Sequence, residues 1–140
     1  MRKIACLVTA AAVLVVPAMA SAKTIRQQGQ IVGDAETKVT LQVKTRGKDP
    51  LSVANFKAKN VLTRCEGEAS RIDFTVLDAV EVKENNSFKS RLVDGEGGVL
   101  RIRGKVKDNG RATVGSLKTN NFTSSNDVTC KTPKQKFKTG

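Results

Sequence analysis

The stretch VLRIRGKVKDNGRATVGSL, residues 99–117, decides the fold of this chain. Its first nine residues alternate between apolar and mostly basic side chains, which is the two-residue period of a half-buried β-strand. The predicted strand Val99–Lys107 therefore has a core face and a solvent face. The core face consists of Leu100, Ile102 and Val106, and the solvent face consists of Arg101, Arg103, Lys105 and Lys107. Asn109-Gly110 favours the left-handed backbone of a hairpin turn, so the chain should return antiparallel through Arg111–Leu117.

The same alternation recurs along the rest of the chain, with turn residues about every ten positions. It predicts further strands at Ile25–Val32, Lys38–Arg46, Asn55–Cys65, Ser70–Val76, Phe88–Val93 and Asp127–Phe137. Val80 and Val82 indicate either a short continuation of the strand before them or a separate edge strand. Residues 118–126 are predicted to form a polar loop, and no segment has the period of a useful amphipathic helix. The pattern predicts an all-β fold, an antiparallel β-sandwich of about eight strands, with a flattened β-barrel as the alternative.

The N-terminus has the three parts of a secretory signal peptide. Arg2 and Lys3 are basic, Ile4–Val16 is an apolar run of 13 residues, and small residues follow Pro17. As a helix the run would span about 20 Å, which is short of the hydrocarbon core of about 30 Å that a membrane anchor must cross. We therefore expect residues 1–22 to be a cleaved signal peptide and residues 23–140 to form a single domain.

Export determines which of the three cysteines remain in the mature chain. Cys6 lies within the signal peptide, which leaves Cys65 and Cys130 in the mature chain. In an oxidising compartment an even number of cysteines indicates a disulfide, and two cysteines allow only one pairing. Closing a loop of about 65 residues stabilises a fold by roughly 4 kcal/mol in the chain-entropy model. A redox or metal-binding pair is the alternative, although neither cysteine has a C-x-x-C partner.

The charge is strongly basic, with a formal net charge of +12 that falls to +10 when Arg2 and Lys3 leave with the signal peptide. The outward side chains of Val99–Lys107 form a cationic stripe, and a second basic cluster follows at the C-terminus. Together they form a candidate polyanion-binding site: Arg101, Arg103, Lys105, Lys107, Lys131, Lys134, Lys136 and Lys138. The alternatives are a C-terminal arm that binds by itself and an ordinary solvated surface.

Composition argues against several kinds of chemistry. The chain has no His, so imidazole catalysis and His ligation of metals are excluded. A Ser–Lys dyad has no distinguishing motif, and the carboxylates at Glu66, Glu68, Asp73, Asp78 and Glu81 lack the aromatic platform typical of glycosidases. Asp94–Gly98 has two carboxylates but not the full motif of a calcium loop. We expect no enzymatic activity, no cofactor and no metal site.

A set of aromatic residues, glycine-containing turns and two cysteines forms a recognisable pattern. Its members are Phe56, Cys65-Glu66-Gly67, Phe74, Phe88, Ile102-Arg103-Gly104, Gly110-Arg111-Ala112, Gly115-Ser116-Leu117, Cys130 and Phe137. It resembles uncharacterised small secreted all-β, single-disulfide domains of high-GC Gram-positive bacteria, over residues 38–138. The position of Phe137 is usually Trp in those domains. The resemblance implies an all-β fold and the disulfide, and it carries no activity or site residue.

These observations predict a secreted, non-enzymatic β-domain, extracellular or associated with the cell wall. The expected partner is an anionic cell-wall polymer or another polyanion, bound electrostatically. Specific nucleic-acid recognition is disfavoured because the chain has no Trp or Tyr to stack on bases. A structural or protein-interaction domain without a polyanion site is the alternative, and a small hydrolase is the least favoured function.

Overall fold

The computed structural model describes residues 21–93, 98–124 and 126–140, and these residues form eleven β-strands. The strands are β1 (Ala22–Ile31), β2 (Asp34–Arg46), β3 (Asp49–Cys65), β4 (Glu68–Val76), β5 (Val80–Glu81), β6 (Ser87–Val93), β7 (Val99–Lys107), β8 (Ala112–Thr119), β9 (Phe122–Thr123), β10 (Thr129–Lys131) and β11 (Gln135–Thr139). Residues 1–20 of the expected signal peptide lie outside the described residues. Within the described ranges, no helix has the length and apolar character needed to cross a membrane.

The eleven strands belong to one open sheet in which every pair is antiparallel. Its order is β6-β7-β8-β11-β1-β2-β3-β10-β9, and β4 and β5 also pair with β3. The all-β antiparallel class is therefore confirmed. Three of the strands have only two or three residues, and the remaining eight correspond to the number expected.

The sheet folds over so that strands far apart in its order share one core. The buried apolar residues of eight strands form a single cluster. Within it the rings of Phe56 on β3 and Phe137 on β11 lie 5.4 Å apart between centroids. The two halves of the sheet thus bury each other's inner faces, which is the packing that the half-buried alternation predicts.

A row of two phenylalanines and two glycines lies across the inner face of the sheet. Phe88 on β6 is in register with Gly104 on β7, Gly104 with Gly115 on β8, and Gly115 with Phe137 on β11. A Cβ atom on Gly104 would lie 2.6 Å from Cζ of Phe88, and one on Gly115 would lie 2.6 Å from Cζ of Phe137. The two rings therefore fill the space that the glycines leave free. Aromatic residues cover neighbouring glycines in this way in many sheets.

The disulfide between Cys65 and Cys130 is confirmed. The two residues are in register at the end of β3 and in the middle of β10. The bond therefore links two strands that already pair, and it anchors the chain directly before Lys131.

Several strand boundaries differ from the sequence-based expectation. The predicted last strand, Asp127–Phe137, is two strands, because β10 pairs with β3 and β9 whereas β11 pairs with β8 and β1. Buried Thr132 lies at the break, where its N–H donates to Oγ1 of Thr119 at 2.8 Å. The predicted polar loop 118–126 also contains the end of β8 and the short strand β9.

The third strand is longer than predicted, because it begins at Asp49 and continues through two bulges. Asn55 and Asn60 have φ values of 52° and 59°, and the register with β2 and then with β4 shifts beside them. Asp73 accepts a hydrogen bond from the N–H of Asn60 at 2.9 Å, which supports the second bulge. Asparagine tolerates this left-handed conformation, so the bulges interrupt the alternation without ending the strand.

Candidate anion-binding face

Strand β7 has the two faces that its sequence predicts. Leu100, Ile102 and Val106 are buried, whereas the basic side chains at positions 101, 103, 105 and 107 are all exposed. Alternate residues of a strand lie about 6.8 Å apart, so the four cations form a regular row along the solvent face.

Strand β6 adds two cations to this row that sequence reasoning did not include. Lys89 is in register with Arg103, and Arg91 is in register with Arg101. Residues in register point to the same side of a sheet, and both side chains are exposed. The alternation of Phe88–Val93 already placed Lys89 and Arg91 on one face, but only the pairing of β6 with β7 shows that this face continues the row.

Strand β11 supplies a parallel row on the other side of β8. Arg103 and Lys136 are both in register with Ser116, and Lys105 and Lys138 are both in register with Val114. The rows on β7 and β11 are thus separated by two inter-strand spacings, about 9.5 Å. Between them lies a shallow groove of about 520 Å³, whose floor carries the short side chains of β8. We call it the β8 groove.

The β8 groove leads at one end to a second depression, of about 310 Å³. Four cationic side chains line it: Arg101 of β7, Lys118 of β8, Lys131 of β10, and Lys134 between β10 and β11. Lys134 lines both the groove and this depression, which we call the end cleft. The sequence predicts Lys118 to lie in a polar loop. Its position beside Arg101 in the end cleft follows only from the pairing of β8 with β7, in which the two residues are in register.

Backbone and side-chain hydrogen bonds hold the walls of the end cleft. The N–H of Thr119 donates to the carbonyl of Thr132 at 3.0 Å. The hydroxyl groups of Thr132 and Thr63 are 2.8 Å apart, and both residues are buried. On the β7 side, the N–H of Val99 donates to Oδ1 of Asn120 at 2.6 Å. The four cations therefore project from a firmly bonded frame.

The C-terminal lysines do not form a separate arm. Strand β11 lies inside the sheet between β8 and β1, and Phe137 in its middle is only 1% exposed. Lys136 and Lys138 alternate with buried residues on this strand, as in β7. The stripe and the C-terminal cluster, separate in the sequence, are parts of one surface.

The strands of this surface, which we call the basic face, carry no acidic side chain: β6 to β11 contain no Asp or Glu. The ion pairs found among the described residues join Arg71 to Asp34 and Glu36, on β4 and β2. The exposed cations of the basic face are Lys89, Arg91, Arg101, Arg103, Lys105, Lys107, Lys118, Lys131, Lys134, Lys136 and Lys138. Eleven like charges on one side of a small domain create a positive potential that attracts anions.

The carboxylates considered for catalysis are exposed, and they lie on β4 and β5 or in the turns next to them, not on the strands of the basic face. Asp73 supports the bulge at Asn60, as described above. No cluster of potential metal ligands is found among residues 21–93, 98–124 and 126–140. The loop considered for calcium, Asp94–Gly98, lies outside the described residues except for Gly98.

No protein-family model, curated protein or solved structure matches this chain. The resemblance to secreted single-disulfide domains stays a prediction.

Proposed function

We propose that this protein is a secreted, non-enzymatic β-domain that binds anionic cell-envelope polymers electrostatically through its basic face. The observation that carries the proposal is the concentration of exposed cations on β6, β7, β8, β10 and β11, without an acidic residue on those strands. Lys and Arg side chains that neutralise a polymer's anionic groups release its counterions, which drives binding without sequence-specific contacts.

The distribution of aromatic residues favours an envelope polymer over nucleic acid. Phe56, Phe88 and Phe137 are buried in the core. Phe74 and Phe122 pack against each other, with ring centroids 6.2 Å apart, on β4 and β9. A single-stranded nucleic-acid site usually offers aromatic rings on which bases stack, and the basic face offers only cations and short side chains.

Secretion is part of the proposal and has two supports. The N-terminal sequence has the composition of a signal peptide. The disulfide joins the two cysteines that would remain after cleavage, and such bonds persist in oxidising compartments.

A protein-interaction domain is the second candidate function, and the edge of the sheet favours it. Within the described ranges β6 pairs only with β7, and at its end Leu92 and Val93 are 40% and 50% exposed. An open strand edge with apolar side chains can accept a strand from another protein.

Retention on purified bacterial cell walls tests the proposed function. We expect wild-type protein to be retained on walls that keep their anionic polymers and released from walls stripped of them. The variant Arg103→Gln/Lys136→Gln should be retained less. The control Lys44→Gln/Lys59→Gln removes the same charge from exposed positions on β2 and β3 and should be retained like wild type.

Equal retention on intact and stripped walls would overturn the proposal. Equal weakening by the two double variants would show that net charge alone, and not the basic face, determines retention. Either outcome would leave the protein-interaction function as the better one.

A further inference from the structure

The basic face is not a uniform array of charges, because its two depressions differ in shape. The β8 groove is open along its length and has cationic walls on β7 and β11, with a floor that carries Val114 and Ser116. The β7 and β11 backbones that carry the walls are about 9.5 Å apart, so an extended chain lying along β8 has cations within reach on both sides. The groove therefore suits a single linear chain.

The end cleft differs from the groove in its lining. At its far end Asn120 continues the pairing of β8 with β7 and donates its N–H to the carbonyl of Val99 at 3.2 Å. The segment from Lys131 to Lys134 forms the other wall, bonded to Thr119 through Thr132. A linear ligand that follows the groove in this direction reaches the four cations of the cleft.

The charge of the end cleft suits a chain end better than a chain interior. Four cations converge on about 310 Å³, whereas the groove places one cation on each side of a short residue of β8. An internal phosphodiester carries one negative charge, and a terminal phosphate monoester carries about 1.5 to 2 at neutral pH, with three acceptor oxygens. Charge-assisted hydrogen bonds from Lys and Arg are strongest with such a group.

We propose that the end cleft binds the terminal phosphate monoester of a linear phosphodiester polymer whose chain lies in the β8 groove. This inference rests on the proposed function and adds to it the class of ligand, its direction and the recognition of its end. Arg101, Lys118, Lys131 and Lys134 hold the terminal phosphate, and Arg103, Lys105, Lys136 and Lys138 flank the chain.

Two synthetic ligands separate end recognition from general attraction. The first is an abasic oligo(propanediol phosphate) of about twelve units with one terminal phosphate monoester. The second ends in hydroxyl groups and has one additional internal phosphodiester, so that both contain the same number of phosphates. At about pH 5 the monoester is mostly singly charged because its second pKa is about 6, and the two ligands then carry nearly equal charge.

Binding should be measured by calorimetry at fixed salt and at both pH values. We expect the phosphate-ended ligand to bind about tenfold more tightly at neutral pH, which is the effect of one good charge-assisted contact. This preference should decrease at about pH 5, where the two ligands carry nearly equal charge.

Two double variants with the same loss of charge locate the effect. Lys118→Gln/Lys131→Gln alters the end cleft, and we expect it to abolish the preference for the phosphate-ended ligand. Lys105→Gln/Lys138→Gln alters the groove away from the cleft, and we expect it to weaken both ligands alike and to keep the preference. All four lysines are exposed, so thermal unfolding should be unchanged in both variants.

The outcomes distinguish this inference from the proposed function. If both ligands bind wild-type protein equally, end recognition is wrong and polyanion binding stands. If neither ligand binds, both proposals are wrong. If a single-stranded oligothymidylate of equal phosphate number binds much more tightly than either ligand, the bases are being recognised, and the assignment to a base-free polymer is wrong.

Discussion

Arg103 and Lys136 lie on opposite sides of Ser116, each in register with it across one inter-strand spacing. In the sequence these two residues belong to different basic clusters, on β7 and near the C-terminus. In the fold they form facing walls of one groove. The relationship places the two clusters on one surface, and it determines which variants can test the proposed binding.

The salt dependence of binding to a linear polyphosphate should report the contacts in this groove. For wild-type protein, log affinity should fall linearly with log salt concentration. Arg103→Gln/Lys136→Gln should reduce the magnitude of the slope by roughly one to two, because each lost contact removes about 0.7–0.9. Titrations at several salt concentrations measure the slope. An unchanged slope, or the same reduction in Lys44→Gln/Lys59→Gln, would show that binding is diffuse.

Deletion of the C-terminal lysines is not a usable alternative to these substitutions. Truncation after Pro133 would remove β11, which pairs with β8 and β1 in the interior of the sheet. It would also remove the buried ring of Phe137 from its contact with Phe56. Loss of binding in such a variant would report unfolding.

Neighbouring residues of β7 should differ sharply in their contribution to stability. Ile102 is 2% exposed, so Ile102→Ala should lower the free energy of unfolding by about 2–5 kcal/mol through lost burial and the cavity left behind. Arg101→Ala, on the solvent face, should lower it by about 0.5 kcal/mol or less. Chemical denaturation measures both values. Similar losses for the two variants would contradict the register described here.

The glycine at position 104 should be coupled energetically to the ring of Phe88. Gly104→Ala places a methyl group against that ring and should cost about 1–3 kcal/mol of unfolding free energy. Phe88→Leu removes the ring atoms nearest to the added methyl group. In a double-mutant cycle, the double variant should lose less than the sum of the single losses, by roughly 0.5 kcal/mol or more. Strict additivity would mean that the ring does not occupy the space above Gly104.

The mature protein should be recognisable by its intact mass. Export should yield a chain that begins at Lys23, which keeps all of β1 except Ala22, with a mass two hydrogens lower than that of the reduced chain. Reduction of the disulfide should lower the free energy of unfolding by roughly 4 kcal/mol, the chain-entropy value for a loop of about 65 residues. Mass spectrometry with and without reductant tests the chain start and the disulfide, and chemical denaturation with and without reductant measures the loss of stability. Retention of Met1, or two free thiols before reduction, would contradict them.

Local features of the sequence were sufficient to predict most of the strands and the two faces of β7. Alternation marked the two sides of β7 correctly, because side-chain direction in a strand repeats every two residues whatever the strand pairs with. Cysteine number identified the Cys65–Cys130 bond, since two cysteines have only one way to pair. The turn at Asp108–Gly110 followed from residues that tolerate positive φ, and all three adopt it.

The neighbours of each strand were decided only by the tertiary structure. Strand β1 is polar and rich in Gln, which is typical of an exposed strand, yet its Gln27 is buried. Its side chain donates to the carbonyl of Gly110 at 2.7 Å and accepts from the hydroxyl of Thr139 at 2.5 Å. These partners lie 83 and 112 positions away along the chain, so no local pattern could identify them.

The basic face also results from contacts between strands that are distant in the sequence. The sequence by itself determined that β7 presents cations to solvent and that the C-terminus is basic, because charge and alternation are local properties. Only the fold decided that Lys89, Arg91 and Lys118 join them, and that β8 and β11 place two cationic rows around one groove. The physical reason is that strand order and register depend on how distant apolar faces bury each other in one core, which is a property of the whole chain.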